Sequence, residues 1–172
     1  MATTPFGATS ATWSIDPSES AANFTGATLW GRVPVNGRLG EVSGQLEWDG
    51  ASGEGRLAIA TTGLSSGIGL RDHHLRGRDF FAAQDHPEVE FDATEVVVDD
   101  STVQLRGDLL VRGERHPFTC TAATTRLSDD RVALEASATL DLESLGMSRG
   151  LMRMVSANVT ADVRVVIQRS DP

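Results

Sequence analysis

Lysine and tyrosine are absent from this 172-residue chain, and Cys120 is its single cysteine. Without lysine there is no Schiff-base or pyridoxal-phosphate chemistry and no phosphate-cradling P-loop. Without tyrosine there is no phenolic general acid. One cysteine cannot make an intrachain disulfide, a Cys-x-x-Cys redox pair or a cysteine-rich zinc site. Aromatic residues reach only 5%, and no run approaches the roughly 18 apolar residues of a membrane-spanning helix. Basic charge is scarce as well: 15 arginines face 24 carboxylates, a net of −9 at pH 7. Such a balance disfavours nucleic acid or an anionic membrane as the main partner. Together these absences lean toward a binding module.

Length and a hydrophobic content of 40% fit one domain, which at this size buries about 70% of its unfolded surface. Residues 1–11 are mostly Ala, Thr, Ser and Gly and read as a flexible N-terminal tail, leaving 12–170 as a single domain. Met1 to Thr12 has neither a basic start nor an apolar core, so no signal peptide is expected there and the chain reads as cytoplasmic.

From Trp13 onward the apolar residues recur with a period near two. Val42, Leu46 and Trp48 share a face that ends at Asp49-Gly50, a hairpin signal, and Leu57 and Ile59 resume it. Val103, Leu105, Leu109 and Val111 alternate with polar neighbours up to a turn at Gly113-Glu114. Val132, Leu134, Ala136, Ala138 and Leu140 form the next row, and Val159, Ala161, Val163, Val165 and Ile167 the last. Each strand thus has one wet and one dry face. About eight antiparallel strands are expected, with an irregular segment near 67–86 forming a short helix and crossing loop. Residues 142–156, with Met147, Met152 and Met154, break the alternation too and suggest a helical turn or lid.

An antiparallel meander with one dry face closes as a barrel or stacks as a sandwich. Many inward positions are small, among them Gly44, Gly107, Ala122, Ala136, Ala138 and Ala161, and small inward residues leave room for a ligand. The pattern favours a barrel with a cavity over a sandwich whose sheets approach closely.

Three motifs suggest chemistry. Gly-x-Ser-x-Gly occurs at Ser65 and Ser148, but the surrounding chain lacks the strand–turn–helix setting of a hydrolase elbow. His86, Glu88 and His116 have the composition of a metal triad, yet His86-Pro87 and His116-Pro117 read equally as extended strand entries. The stretch from Arg71 to Phe81 gathers Arg71, Arg76 and Arg78 with His73 and His74 in an acidic protein. It could hold an anionic head group or be neutralised within a structural network by Asp72, Asp79 and Asp85. Cys120, on an alternating strand, reads as a buried and unreactive thiol.

The same stretch carries a resemblance. Trp13-Ser14-Ile15-Asp16-Pro17, Val35-Asn36-Gly37-Arg38-Leu39, Gly63-Leu64-Ser65-Ser66-Gly67, Arg71-Asp72-x-His74-Leu75, Asp79-Phe80-Phe81, His86-Pro87-Glu88 and Gly107 to Gly113 follow one another in order. In these the chain resembles the YceI-like family of lipocalin-like, polyisoprenoid-binding proteins. The resemblance implies an all-β, antiparallel lipocalin-like barrel of about eight strands, an elongated apolar tunnel, long isoprenoid ligands and frequent homodimers. One departure stands near the start: where the family often has Asp-x-x-His-Ser, this chain has Glu19 in the His position.

The resulting expectation is a non-enzymatic carrier or store for an isoprenoid quinone or polyprenyl phosphate, without cofactor or metal. Its tunnel is expected to be lined by Phe24, Trp30, Leu57, Ile59, Phe91, Leu105, Leu109, Phe118, Leu134 and Leu140. Phe80, Phe81, Met147, Met152 and Met154 are expected to guard the opening, and Arg76 and Arg78 to meet the head group. A small hydrolase or metal enzyme, and a filled barrel serving in protein interaction or stress protection, are the alternatives.

Overall fold

The alternating segments fold as ten strands in the computed structural model, which describes residues 4–28, 33–78, 80–147 and 158–170. In chain order they are β1 (Ala11–Ile15), β2 (Ala21–Thr28), β3 (Val33–Arg38), β4 (Val42–Trp48), β5 (Gly53–Ala60), β6 (Glu88–Asp99), β7 (Thr102–Val111), β8 (Glu114–Ser128), β9 (Arg131–Asp141) and β10 (Asn158–Ser170). Eight of them close an antiparallel ring, β1-β4-β5-β6-β7-β8-β9-β10, with β10 returning to β1. This is the barrel expected from the sequence. The other two, β2 and β3, pair with each other and hang from β10 as a hairpin.

Strand β10 shares one edge between two partners: Thr160 to Arg164 pair with β2, and Ile167 to Ser170 pair with β1. The chain crosses from β1 to β2 through a single 3-10 turn, Pro17–Glu19, which the Asp16 carboxylate starts by accepting the Ser18 amide at 2.9 Å. Proline at the head of this turn has no amide to leave unpaired.

One end of the barrel is shut by aromatic packing. Phe6 is buried between Trp13 and Trp48, with ring centroids 5.9 and 5.1 Å away. Trp48 Nε1 donates to the Gly7 carbonyl at 2.9 Å. Within the stretch expected as a tail, Phe6 and Gly7 are therefore held against the barrel, while Ala8, Thr9 and Ser10 are exposed. Burying one aromatic side chain is worth about 1.5–3 kcal/mol, enough to hold a short stretch that has no other apolar side chain of size.

At the other end, α1 (Gly69–Arg76) and the turns after it cross between β5 and β6. This is the helix and crossing loop expected near 67–86. Leu75 turns inward from α1, and Gly77 ends the helix by donating its amide to the His74 carbonyl at 3.0 Å. Asp72, in the first helical turn, is buried. Its carboxylate accepts both the amide and the hydroxyl of Ser66, and the same hydroxyl accepts Arg71 Nε at 2.8 Å. Leu75 packs there with Leu64, Phe80, Val111, Leu142, Leu145 and Met147. Asp79 and residues 148–157, including Met152 and Met154, lie outside the described residues.

Candidate functional site: the apolar cavity

The barrel is hollow. Strand alternation aims Leu57 and Ile59 of β5, Phe91 and Ala93 of β6, Leu105 and Leu109 of β7, and Phe118, Cys120 and Ala122 of β8 at a common interior. Strand β9 adds Leu134, Ala136, Ala138 and Leu140, and β10 adds Val159, Ala161, Val163, Val165 and Ile167. Between them lies a cavity of about 240 Å³. A single water needs roughly 10–15 Å³ by the same measure, so this is space for a molecule of another order. It reaches from Phe6, Val103 and Ile167 at the aromatic plug to Phe80, Leu145 and Met147 under the helical end.

Small residues keep the interior open where strands meet. Ala161 pairs with Ala138 on one side and with Phe24 on the other, and Ala136 pairs with Val163. Larger residues there would interdigitate and fill the lumen, as in a solid eight-stranded barrel. Phe91 and Phe118 meet edge to face, centroids 5.6 Å apart and planes at 86°, which is a preferred aromatic geometry. Phe24 lies across Gly37 of β3: a Cβ at Gly37 would come within 2.1 Å of the Phe24 ring. That glycine sets the depth at which Phe24 enters the cavity.

Of the residues singled out from the sequence, Phe24, Leu57, Ile59, Phe91, Leu105, Leu109, Phe118, Leu134 and Leu140 all stand on the cavity wall. So do Phe80, Phe81 and Met147 at the helical end, where the two phenylalanines stack edge to face at 5.2 Å. Trp30 lies outside the described residues, as do Met152 and Met154. Ala22, Leu39, Leu75, Leu142 and Leu145 also line the cavity and were not anticipated. The Leu142/Leu145 spacing, three apart in a helical turn, was the available signal for the last two.

The arginine cluster does not join them. Arg76 and Arg78 are exposed and do not border the cavity. Arg76 Nε donates to the Asp72 carbonyl at 3.2 Å, and Arg78 offers its own carbonyl to Arg112 Nη2 at 2.9 Å. Among the described residues, Arg71, Ser66 and Asp72 form a hydrogen-bonded network with Ser66 as its hub.

The other motifs are also placed. Ser65 is exposed and exchanges backbone hydrogen bonds with Arg38, at 2.7 and 2.8 Å, while Asp72 is held by Ser66. Ser148 lies outside the described residues. Among the described residues no group of three His, Cys, Asp or Glu side chains is gathered to hold an ion. Burial pushes the Cys120 thiol pKa up, which lowers the thiolate fraction and with it nucleophilicity. Glu19 projects outward to Arg131 at 2.5 Å, away from the cavity.

A closed antiparallel barrel with an apolar lumen and a helical cap defines a lipocalin-like fold. The chain matches the YceI-like domain over residues 13–168, and it belongs to that family. A UPF0312 protein of Pseudomonas aeruginosa is 28% identical over 123 residues, 67% of this chain and 64% of the relative. The match thus spans just under two thirds of that relative's length. Among solved structures, BcnA of Burkholderia cenocepacia superposes with a TM-score of 0.78 at 16% identity, covering 88% of this chain and 98% of BcnA. A polyisoprenoid binding domain from Saccharophagus degradans gives 0.76 at 18% identity, covering 92% and 98%. At these identities the two structures share the fold.

Proposed function

We propose that the barrel binds a long-chain isoprenoid lipid in its apolar cavity and acts as a non-enzymatic carrier or store. The observation that carries this reading is the cavity itself: continuous from the aromatic plug to the helical end, and walled by aliphatic and aromatic side chains. A hydrocarbon tail entering it leaves water, which is worth about 0.8 kcal/mol per buried CH₂. Several isoprene units bind tightly on that basis with few polar contacts. The small side chains at Ala136, Ala138 and Ala161 support a lumen kept open for a ligand, because a barrel selected only for stability would fill it. The structural likeness to a polyisoprenoid binding domain points the same way. No helix among the described residues is long and apolar enough to cross a membrane.

The test is extraction of the purified protein into organic solvent followed by mass spectrometry. A retained isoprenoid lipid near one per chain supports the reading. A protein that is empty and also takes up no added isoprenoid overturns it, in favour of a barrel serving protein interaction.

A further inference from the structure

The ladder between β8 and β9 stops partway along the barrel. The two strands pair from Ser128 and Arg131 to Ala123 and Glu135, and no further. Beyond that point, among the described residues, residues 114–122 of β8 pair with β7 alone, and residues 136–141 of β9 pair with β10 alone. The wall therefore has a side seam where β8 and β9 part, with a strand edge on each bank that no other described strand pairs.

A second recess occupies this seam. Its banks are His116, Pro117 and Phe118 from β8, Thr139 and Asp141 from β9, and Ser144 from the turn that follows. Leu109, Phe118, Leu140 and Leu145 line both the recess and the main cavity, so the two share a wall. His116 stands opposite Leu109 in the β7–β8 ladder, which puts it on the inward face. Its Nε2 is buried and has no hydrogen-bond partner among the described residues. Buried polar nitrogens are normally satisfied, and this one sits where a polar recess meets an apolar lumen.

The chemistry of the recess selects its occupant. Its imidazole nitrogen is unengaged, whereas the Asp141 carboxylate accepts the Glu143 amide at 3.0 Å and the Ser144 hydroxyl donates to the Asp141 carbonyl at 2.8 Å, and no arginine stands among the described residues lining it. Among the described residues the arginines closest in sequence are engaged elsewhere: Arg112 with the carbonyls of Gly146 and Arg78, Arg115 with Asp92 and Asp108. A phosphate placed here would face Asp141 with no countercharge from the described lining residues. An uncharged oxygen would not.

We infer that the β8–β9 seam is the head-group subsite of the barrel, where His116 Nε2 bonds an uncharged carbonyl head, of the quinone class, while the tail occupies the lumen. This rests on the isoprenoid-binding reading above. The Arg76–Arg78 cluster is then no part of ligand recognition.

The test compares three probes: a long-chain isoprenoid benzoquinone, the headless hydrocarbon squalene, and a prenyl monophosphate. Each is titrated into wild type, His116→Phe and His116→Gln by quenching of tryptophan fluorescence, with thermal unfolding as the folding control. The quinone binds wild type more tightly than the phosphate does. His116→Phe weakens the quinone about threefold to tenfold, the range of one neutral hydrogen bond, and leaves squalene unchanged. His116→Gln, which keeps a donor, restores the quinone. A variant on the other bank, Thr139→Arg, supplies the missing countercharge and raises phosphate affinity. Equal losses for quinone and squalene, no loss for either, tighter phosphate binding by wild type, or no phosphate gain in Thr139→Arg each overturn the subsite. If squalene binds wild type in those cases, the isoprenoid reading stands and only the subsite falls. If wild type binds none of the three probes, both fall.

Discussion

The Ser20 hydroxyl accepts the Val166 amide at 3.0 Å and donates to the Asp16 carbonyl at 2.7 Å. It sits where β10 changes partner, between the residues paired with β2 and those paired with β1. Asp16 N in turn donates to the Val166 carbonyl at 2.8 Å. One buried side chain thus satisfies an amide that neither ladder reaches, and joins the β2–β3 hairpin to the closed ring. Ser20→Ala leaves the Val166 amide buried without a partner, and about 1–3 kcal/mol of stability is expected to be lost. Urea denaturation measures it; an unchanged midpoint would show that the junction holds without the hydroxyl.

Phe6 tests the aromatic plug. Its ring is buried against Trp13 and Trp48, and Phe6→Ala is expected to cost about 3–5 kcal/mol. Thermal or urea unfolding reads the loss. A change below about 0.5 kcal/mol, the scale of an ordinary surface substitution, would mean that residues 4–11 contribute little.

Asp49 supplies an acid-sensitive term. The amides of Ser52 and Ala51 bond its Oδ1 at 2.7 and 2.8 Å and hold its carboxyl below the usual aspartate value. Because the folded state favours the ionised form, the stabilisation is complete above the unfolded pKa of about 3.9. It disappears as pH falls through the lower folded value. Asp49→Asn is therefore expected to be less stable than wild type at pH 7, with the difference closing toward pH 2. Urea midpoints at several pH values decide it, and a difference that widens on acidification contradicts the sign.

Arg76 and Arg78 stand outside the cavity, with Arg76 bonded to the Asp72 carbonyl. The double variant Arg76→Ala/Arg78→Ala is expected to bind prenyl phosphate and isoprenoid quinone as wild type does. A selective loss for the phosphate in a direct titration would return the head group to this cluster.

Much of the fold was legible because period-two alternation reports a dry face directly. Leu134, Ala136, Ala138 and Leu140 announce both a strand and which side of it is wet, so the cavity wall follows from local pattern. The helix near Leu75 was legible as a break in that pattern. Phe6 was not, since one apolar residue among Ala, Thr and Gly has no period. The role of Ser66 was hidden too: charge clustering points Arg71 and Asp72 at each other, whereas the fold inserts a hydroxyl between them. Nor does any local signal reveal the seam. The separation of β8 from β9 depends on where each strand's other neighbour pulls it, and the alternation of either strand is unchanged by it.

The central claim is that the lumen is held open for an isoprenoid tail. Ala138 and Ala161 stand side by side on the wall as cross-strand partners in the β9–β10 ladder, and Ala138→Phe/Ala161→Phe projects two rings from there into the lumen. Native mass spectrometry of wild type and this variant, each incubated with a long-chain isoprenoid benzoquinone, is the direct measurement. The account predicts a one-to-one adduct in wild type and none in the variant, with the variant's unfolding temperature maintained. Equal adduct formation by both proteins, or none by wild type, would contradict it.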